Sequence, residues 1–199
     1  MELNEINERI KDLEALGRCK TKRAWRPYLE KYHCDTVCEI GVEKGYNFKM
    51  MIEHTPKLAV AIDPWRNDGI LSRNSCRSQG DLDQRYETFK ASMADKPFVK
   101  ICRGLSFDVV KEFEDEFFDF IFIDADHTYE AVARDIADWY PKIKKGGALC
   151  GHDYVRYFVK TDFGEYQFGV IRAVDEFVKN NNITTFFKLP RSTWGVIKI

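Results

Sequence analysis

Five short apolar, β-rich runs, separated by stretches of helical periodicity, constrain this chain more than any other feature. The runs are Thr36–Ile40 and residues 58–62, 98–102, 118–124 and 148–152. Such short, nearly continuous apolar runs read as parallel strands buried on both faces. Between them, residues 81–93 and 129–143 carry apolar side chains at helical spacing. Regular alternation of strand and helix predicts a doubly wound α/β fold, a parallel sheet with helices on both faces. After the fifth run come a helix over 168–180 and two further β-rich runs, 184–189 and 193–199, joined by Pro190, Arg191 and Ser192. A parallel crossover needs a dozen or more residues, so this pair is expected to be an antiparallel hairpin closing a mostly parallel sheet.

Ahead of the first strand, Leu3, Ile6, Ile10, Leu13 and Leu16 are spaced as one face of a helix. A second helix is expected over 22–32. The chain of 199 residues therefore reads as one domain, 1–199, with residues 1–33 as an N-terminal helical extension. Its formal net charge of −1 gives no basic footprint for nucleic acid. No apolar run approaches a membrane span, and the first 18 residues are charged and helix-periodic rather than signal-like. The six cysteines (Cys19, Cys34, Cys38, Cys76, Cys102 and Cys150) form no CxxC pair, and several sit inside apolar runs. Buried, reduced thiols and a cytoplasmic location are the expectation. Self-association is left open.

The first chemical signal is the stretch from Val37 to Asn47, in which a buried strand ends at Ile40 and a turn bearing Gly41 and Gly45 leads into a helix. In an open α/β sheet ligands bind beyond the carboxyl ends of the strands, so this turn borders the expected pocket. Gly41 lets the backbone approach a ligand, Gly45 relieves crowding at the helix entry, and backbone N–H groups there suit a carboxylate. Asp63 stands at the end of the second strand, where an acid accepts hydrogen bonds from ribose hydroxyls. Trp65 then offers an apolar face to a nucleoside.

At this point the chain resembles the class I S-adenosylmethionine-dependent methyltransferases. Glu39-Ile40-Gly41-Val42-Glu43-Lys44-Gly45 is similar to their E-x-G-x-x-x-G cofactor loop, and Asp63 to their second-strand acid. Arg103-Gly104-Leu105-Ser106 resembles the loop that lines the adenine. The run from Phe117 to His127 resembles the fourth-strand motif, and that from Lys145 to Tyr154 the fifth. Gly169-Val170, Ala173-Val174 and Glu176-Phe177 resemble the following helix of small-molecule O-methyltransferases acting on catechols and macrolide sugars. The resemblance implies a Rossmann-like fold and S-adenosylmethionine as cofactor, with Glu39, Gly41, Gly45, Tyr46, Asn47, Asp63, Trp65, Gly104 and Ser106 binding it. It implies methyl transfer to a small-molecule hydroxyl, on a sugar or an aromatic.

Asp124, Asp126 and His127 follow the fourth strand, and His152 and Asp153 the fifth. If those strands are neighbours, the acids meet at one rim of the pocket, where a divalent cation would relieve their repulsion. The resemblance makes Asp124 and Asp153 the metal positions for Mg²⁺ or Mn²⁺, with His152 as an imidazole ligand. His127 falls where the catechol-type enzymes carry a catalytic lysine, which makes it the first candidate for general base, with His152 and Asp124 beside it. Orientation of the cofactor amine by Asp124, and capping of the next helix by His127, are the plainer alternatives. Tyr157, Phe158, Phe163 and Tyr166, between the fifth strand and its helix, suggest either an aromatic lid over the acceptor or ordinary surface-loop packing. Two rival functions stand beside this one. A nicotinamide-dependent oxidoreductase lacks support because Glu43 occupies the second glycine position of G-x-G-x-x-G, and a non-catalytic cofactor-binding protein would not need the acid and histidine cluster.

Overall fold

The structure, a computed structural model, describes residues 2–16, 25–67, 78–161, 164–189 and 192–199, without the side chains of 16, 158–161 and 164–167. Cys19, Cys76, the first residues of the expected second helix, and the side chains of Phe158, Phe163 and Tyr166 lie outside the described residues. In chain order the helices are α1 (Leu3–Leu16), α2 (Arg26–Lys31), α3 (Tyr46–Met51), α4 (Gln79–Ser92), α5 (Ser106–Val109), α6 (Tyr129–Trp139) and α7 (Val170–Asn180). The strands are β1 (Thr36–Ile40), β2 (Leu58–Asp63), β3 (Val99–Arg103), β4 (Phe118–Ile123), β5 (Ile143–Gly151), β6 (Phe158–Thr161), β7 (Gly164–Gln167), β8 (Phe186–Leu189) and β9 (Thr193–Ile197).

Seven strands form one sheet in the order β3-β2-β1-β4-β5-β9-β8. β1 to β5 run parallel, and β9 pairs antiparallel with both β5 and β8, as the short 190–192 connection requires. Because strand side chains alternate, each strand feeds two cores. Val37, Ala59, Ala61, Phe120, Phe122 and Cys150 face the helices α1 to α4, where Trp25 packs its ring 5.1 Å from Phe120 and 5.3 Å from Phe122. Cys38, Ile40, Val60, Ile62, Ile121, Ile123 and Leu149 face α5, α6 and α7. Ile6, Leu13, Trp25, Tyr28 and Leu29 belong to the first core, so the N-terminal helices complete one face of the sheet.

Several boundaries differ from expectation, the largest differences being these. The helix expected over 129–143 stops at Trp139, because Pro141 cannot continue it, and β5 begins at Ile143 rather than at 148. α7 starts at Val170, not at 168, and the Phe168 and Gly169 N–H groups bond the Tyr157 and His127 carbonyls. The segment read as an aromatic loop holds a two-stranded hairpin, β6–β7, in antiparallel register from Phe158↔Gln167 to Thr161↔Gly164. Among the described residues Cys34, Cys38, Cys102 and Cys150 are buried and free, and no helix is long and apolar enough to cross a membrane.

Candidate functional site

The strand order reverses between β1 and β4, and the pocket expected at that switch point is bordered by the carboxyl ends of β1, β2, β3, β4 and β5. The turn after β1 is shaped by its two glycines. Gly41 has φ +89°, and a Cβ there would lie 2.2 Å from the Asp124 carbonyl oxygen. Its bareness thus serves the approach of β1 to the chain leaving β4, which is what brings the turn and Asp124 together. Gly45, at φ +73°, would drive a Cβ to 2.5 Å from the Phe89 ring of α4. Glu43 is also left-handed, at φ 50°, and its carboxylate pairs with Arg85 of α4.

Asp63 joins this turn to the one after β2. Its Oδ2 accepts from the Glu43 N–H at 2.8 Å and its Oδ1 from the Trp65 N–H at 2.7 Å. Burial raises its pKa, against the pull of those N–H groups. The Val42 N–H also bonds this carboxylate, which leaves one of its four acceptor positions for a ligand. Gly104 completes the row, its N–H donating to the Asp63 carbonyl at 3.2 Å.

Several residues expected to touch the cofactor act from behind the loop instead. Trp65 is wholly buried, with its ring stacked 5.7 Å from Phe89 and its indole N–H donating to the Glu43 carbonyl at 2.9 Å. The expectation that it offers a face to a nucleoside is therefore corrected: its backbone, at φ 39°, turns the ring into the α4 side of the core. Glu39, 2% exposed, accepts from Asn47 Nδ2 at 3.1 Å, and Asn47 Oδ1 accepts the Trp25 indole N–H at 2.9 Å. This buried chain fastens the residue preceding α2 to the start of α3. Tyr46, by contrast, is 73% exposed at the helix entry.

The acid and histidine residues converge as neighbouring β4 and β5 require. His127 Nε2 lies 2.7 Å from Asp153 Oδ2 and 3.5 Å from Asp124 Oδ1, while His152 Nδ1 lies 3.1 Å from Asp153 Oδ1 and 3.8 Å from Asp124 Oδ1. One donor atom from each of Asp124, His152 and Asp153 falls within 4.8 Å of the other two, the spacing of a metal triad. Two carboxylates and an imidazole suit a divalent cation such as Mn²⁺ or Mg²⁺. Asp153 holds its position through a left-handed backbone, φ 56°. Burial alone would lower the His127 pKa, but Asp124 and Asp153 outweigh it and raise it to about 9. Burial likewise opposes ionisation of Asp153, yet the two histidines hold its carboxyl well below the usual range. The His127 ring stacks on Phe168 at 4.5 Å and 10°, with Tyr157 edge-on to Phe168 at 5.3 Å. The cap of α6 is Thr128, whose hydroxyl accepts from the Ala131 N–H, so His127 is free of that duty. Asp126 is held apart from the cluster in a turn, accepting from the Thr128 N–H at 2.9 Å.

One buried group escaped the sequence reading. Asp135 of α6 is 4% exposed and accepts the Ser106 hydroxyl. Burial raises its pKa to about 7; Ser106 and Arg134 oppose that rise, while Asp126 and Asp138 add to it. The signal was an acid within the buried helical stripe Val132, Asp135, Ile136, Trp139.

The methyltransferase domain family model matches residues 38–154, more than half of the chain. No curated protein matches the sequence significantly. Among solved structures, the O-methyltransferase NovP is similar at TM-score 0.59 and 17% identity, over 95% of this chain and 80% of that one. An O-methyltransferase from Bacillus cereus in complex with SAH is similar at TM-score 0.55 and 14% identity, over 100% of this chain and 92% of that one. The fold is common to all three, and the family match spans the cofactor turn, Asp63, the fourth-strand acids and the His152-Asp153 pair. The chain belongs to the methyltransferase domain family and is an S-adenosylmethionine-dependent methyltransferase.

Proposed function

We propose that this enzyme methylates a hydroxyl of a small molecule with the help of a divalent cation held by Asp124, His152 and Asp153. The observation that carries the reading is the convergence of those three donors at the adjacent ends of β4 and β5. They lie next to the cofactor turn, because Gly41 packs on the Asp124 backbone. On this reading Gly41 to Gly45 receive the methionine portion of the cofactor, Asp63 the ribose, and Gly104 to Ser106 the base. Tyr46 lies at the rim, and Glu39, Asn47 and Trp65 hold the loops in shape. The O-methyltransferase neighbours favour oxygen as the accepting atom.

Bound at this triad, a divalent cation would lower the pKa of an acceptor hydroxyl towards neutrality. Asp124 and Asp153 supply the negative charge that such an ion needs; with their charge engaged by the ion they would no longer hold His127 protonated, and its neutral ring could then take the proton that the hydroxyl gives up. The acceptor oxygen forms a bond to the sulfonium methyl as the sulfur–methyl bond breaks, and the electron pair stays on sulfur to give the thioether product. The transfer is in line, so much of the rate comes from holding the two reactants at the correct angle. The exposed ring of Tyr157, packed on Phe168 beside His127, supports an acceptor with a flat or apolar portion.

The test is transfer of labelled methyl across a panel of phenols, sugars and other hydroxyl compounds, with and without chelator. Chelation is expected to abolish turnover while cofactor affinity stays intact, and Mg²⁺ or Mn²⁺ should restore it. Asp153→Ala should mimic chelation, with kcat lost far more than cofactor binding. Full-rate methylation in excess chelator would remove the metal from the mechanism.

A further inference from the structure

We infer that Asp135 is a specificity-determining residue for the cofactor base: by accepting the Ser106 hydroxyl proton, it leaves Ser106 as a hydrogen-bond acceptor that selects a 6-amino over a 6-oxo purine. The inference rests on the reading above that places the base beside Gly104 to Ser106.

The geometry behind it is independent of that reading. Asp135 occupies a position of α6 whose neighbours on the same stripe, Val132, Ile136 and Trp139, are buried and apolar. Packing alone would place an aliphatic residue there, since burying a carboxylate is costly without a partner. Its partner is Ser106, which is only partly buried and begins α5, directly after the loop that Gly104 ties to Asp63. The carboxylate thus reaches the loop through one hydroxyl. A serine hydroxyl has a single proton and two lone pairs. When Asp135 is ionised it takes that proton, and the serine can then offer only lone pairs to a ligand. Adenine presents an amino donor at its 6-position; hypoxanthine presents a carbonyl there, which would meet those lone pairs with its own. Burial, with Asp138 and Asp126, holds the Asp135 pKa at about 7 against Ser106 and Arg134, so the device is fully set only above neutral pH.

Calorimetry of S-adenosylhomocysteine and of its inosine counterpart, at about pH 8, tests this with wild type, Ser106→Ala and Asp135→Asn. Wild type should prefer the adenosine compound. Ser106→Ala should cut that preference about tenfold, the worth of one good hydrogen bond. Asp135→Asn keeps the side-chain shape but can both donate and accept, so Ser106 regains the freedom to turn its proton outward. In that variant adenosine affinity should fall while inosine affinity rises. A staple that merely joined α5 to α6 would lower both affinities together. Parallel losses, or an unchanged ratio in both variants, would overturn the assignment. Thermal melting of each variant separates these outcomes from unfolding. Failure of wild type to bind S-adenosylhomocysteine at all would instead sink the cofactor-site reading, and this inference with it.

Discussion

Replacing Asp135 by Asn should stabilise the protein, and by more at alkaline than at acid pH. The carboxyl is 4% exposed, and burial moves its pKa from the ordinary 3.8 to about 7. The sign follows from proton counting. Between those two values the folded state holds a proton that the unfolded state has released, so stability falls as pH rises through the window. The destabilisation is absent below 3.8 and complete above about 7. Each pH unit in the window is worth about 1.36 kcal/mol, which gives about 4 kcal/mol at pH 8 and about 2 kcal/mol at pH 5. Asn cannot ionise, and its amide oxygen can still accept from Ser106. The advantage of the variant over wild type should therefore grow by about 2–3 kcal/mol between pH 5 and pH 8. For a domain of this size that is a difference of about 5–10 °C in relative melting temperature. Urea unfolding of both proteins at the two pH values measures it, since all other titrating groups act alike in each. If the gap between the two proteins is the same at both pH values, Asp135 does not titrate as its burial requires.

Gly41→Ala should destabilise by about 2–5 kcal/mol, from the left-handed strain and the overlap with the Asp124 carbonyl, and should weaken the metal response of turnover as Asp124 is pushed aside. A melting temperature within a degree of wild type would show that the contact is not tight. Asp63→Ala should weaken S-adenosylhomocysteine binding at least about tenfold by calorimetry and cost about 1–3 kcal/mol by orphaning the Glu43 and Trp65 N–H groups. Unchanged affinity alongside lost stability would leave Asp63 a loop brace and nothing more. Trp25→Phe should keep the ring contacts with Phe120 and Phe122 but lose the bond to Asn47, costing about 1 kcal/mol in urea unfolding. No change would mean that Asn47 finds another donor.

The parts legible in the sequence were those written in local pattern. Apolar runs located all five parallel strands, and the short link at 190–192 gave the hairpin its direction. The triad of Asp124, His152 and Asp153 was also within reach, because strand ends of adjacent β-strands must meet. What failed depended on side-chain direction or on contacts distant in the chain. Trp65 follows the strand-end acid and so looks like a ligand contact, yet its fate is decided by Tyr86 and Phe89, which α4 supplies some 20 residues later. Gly41 was read as room for a ligand, whereas the space it leaves is occupied by the backbone at Asp124 and Ala125. The β6–β7 hairpin hid in a stretch too polar and short to announce strands. Asp135 was visible as an acid in a buried stripe, but only its partner Ser106, 29 residues earlier, gives that acid a meaning.

Several features that oppose stability border the pocket. Asp135 is buried where an aliphatic side chain would stabilise the fold. Asp153 and Glu43 hold left-handed backbones without being glycine, at φ 56° and 50°. Four ionisable side chains, Asp124, His127, His152 and Asp153, crowd within 4 Å contacts of one another. Behind them the sheet is an apolar core on both faces, its backbone groups paired in β-ladders. Strain and buried charge persist where the surrounding structure fixes them and where a ligand draws on them. On the proposals above, the β4–β5 cluster would face a cation and an acceptor hydroxyl, and the Asp135–Ser106 pair the cofactor base. Asp135 lies on α6 and His127 just before it, so on that reading the helix that follows β4 would present both the base-reading group and the proton-holding group. A single element would thereby fix both ends of the transfer, the base end of the methyl donor and the activated oxygen of the acceptor, which is what an in-line displacement requires of its scaffold.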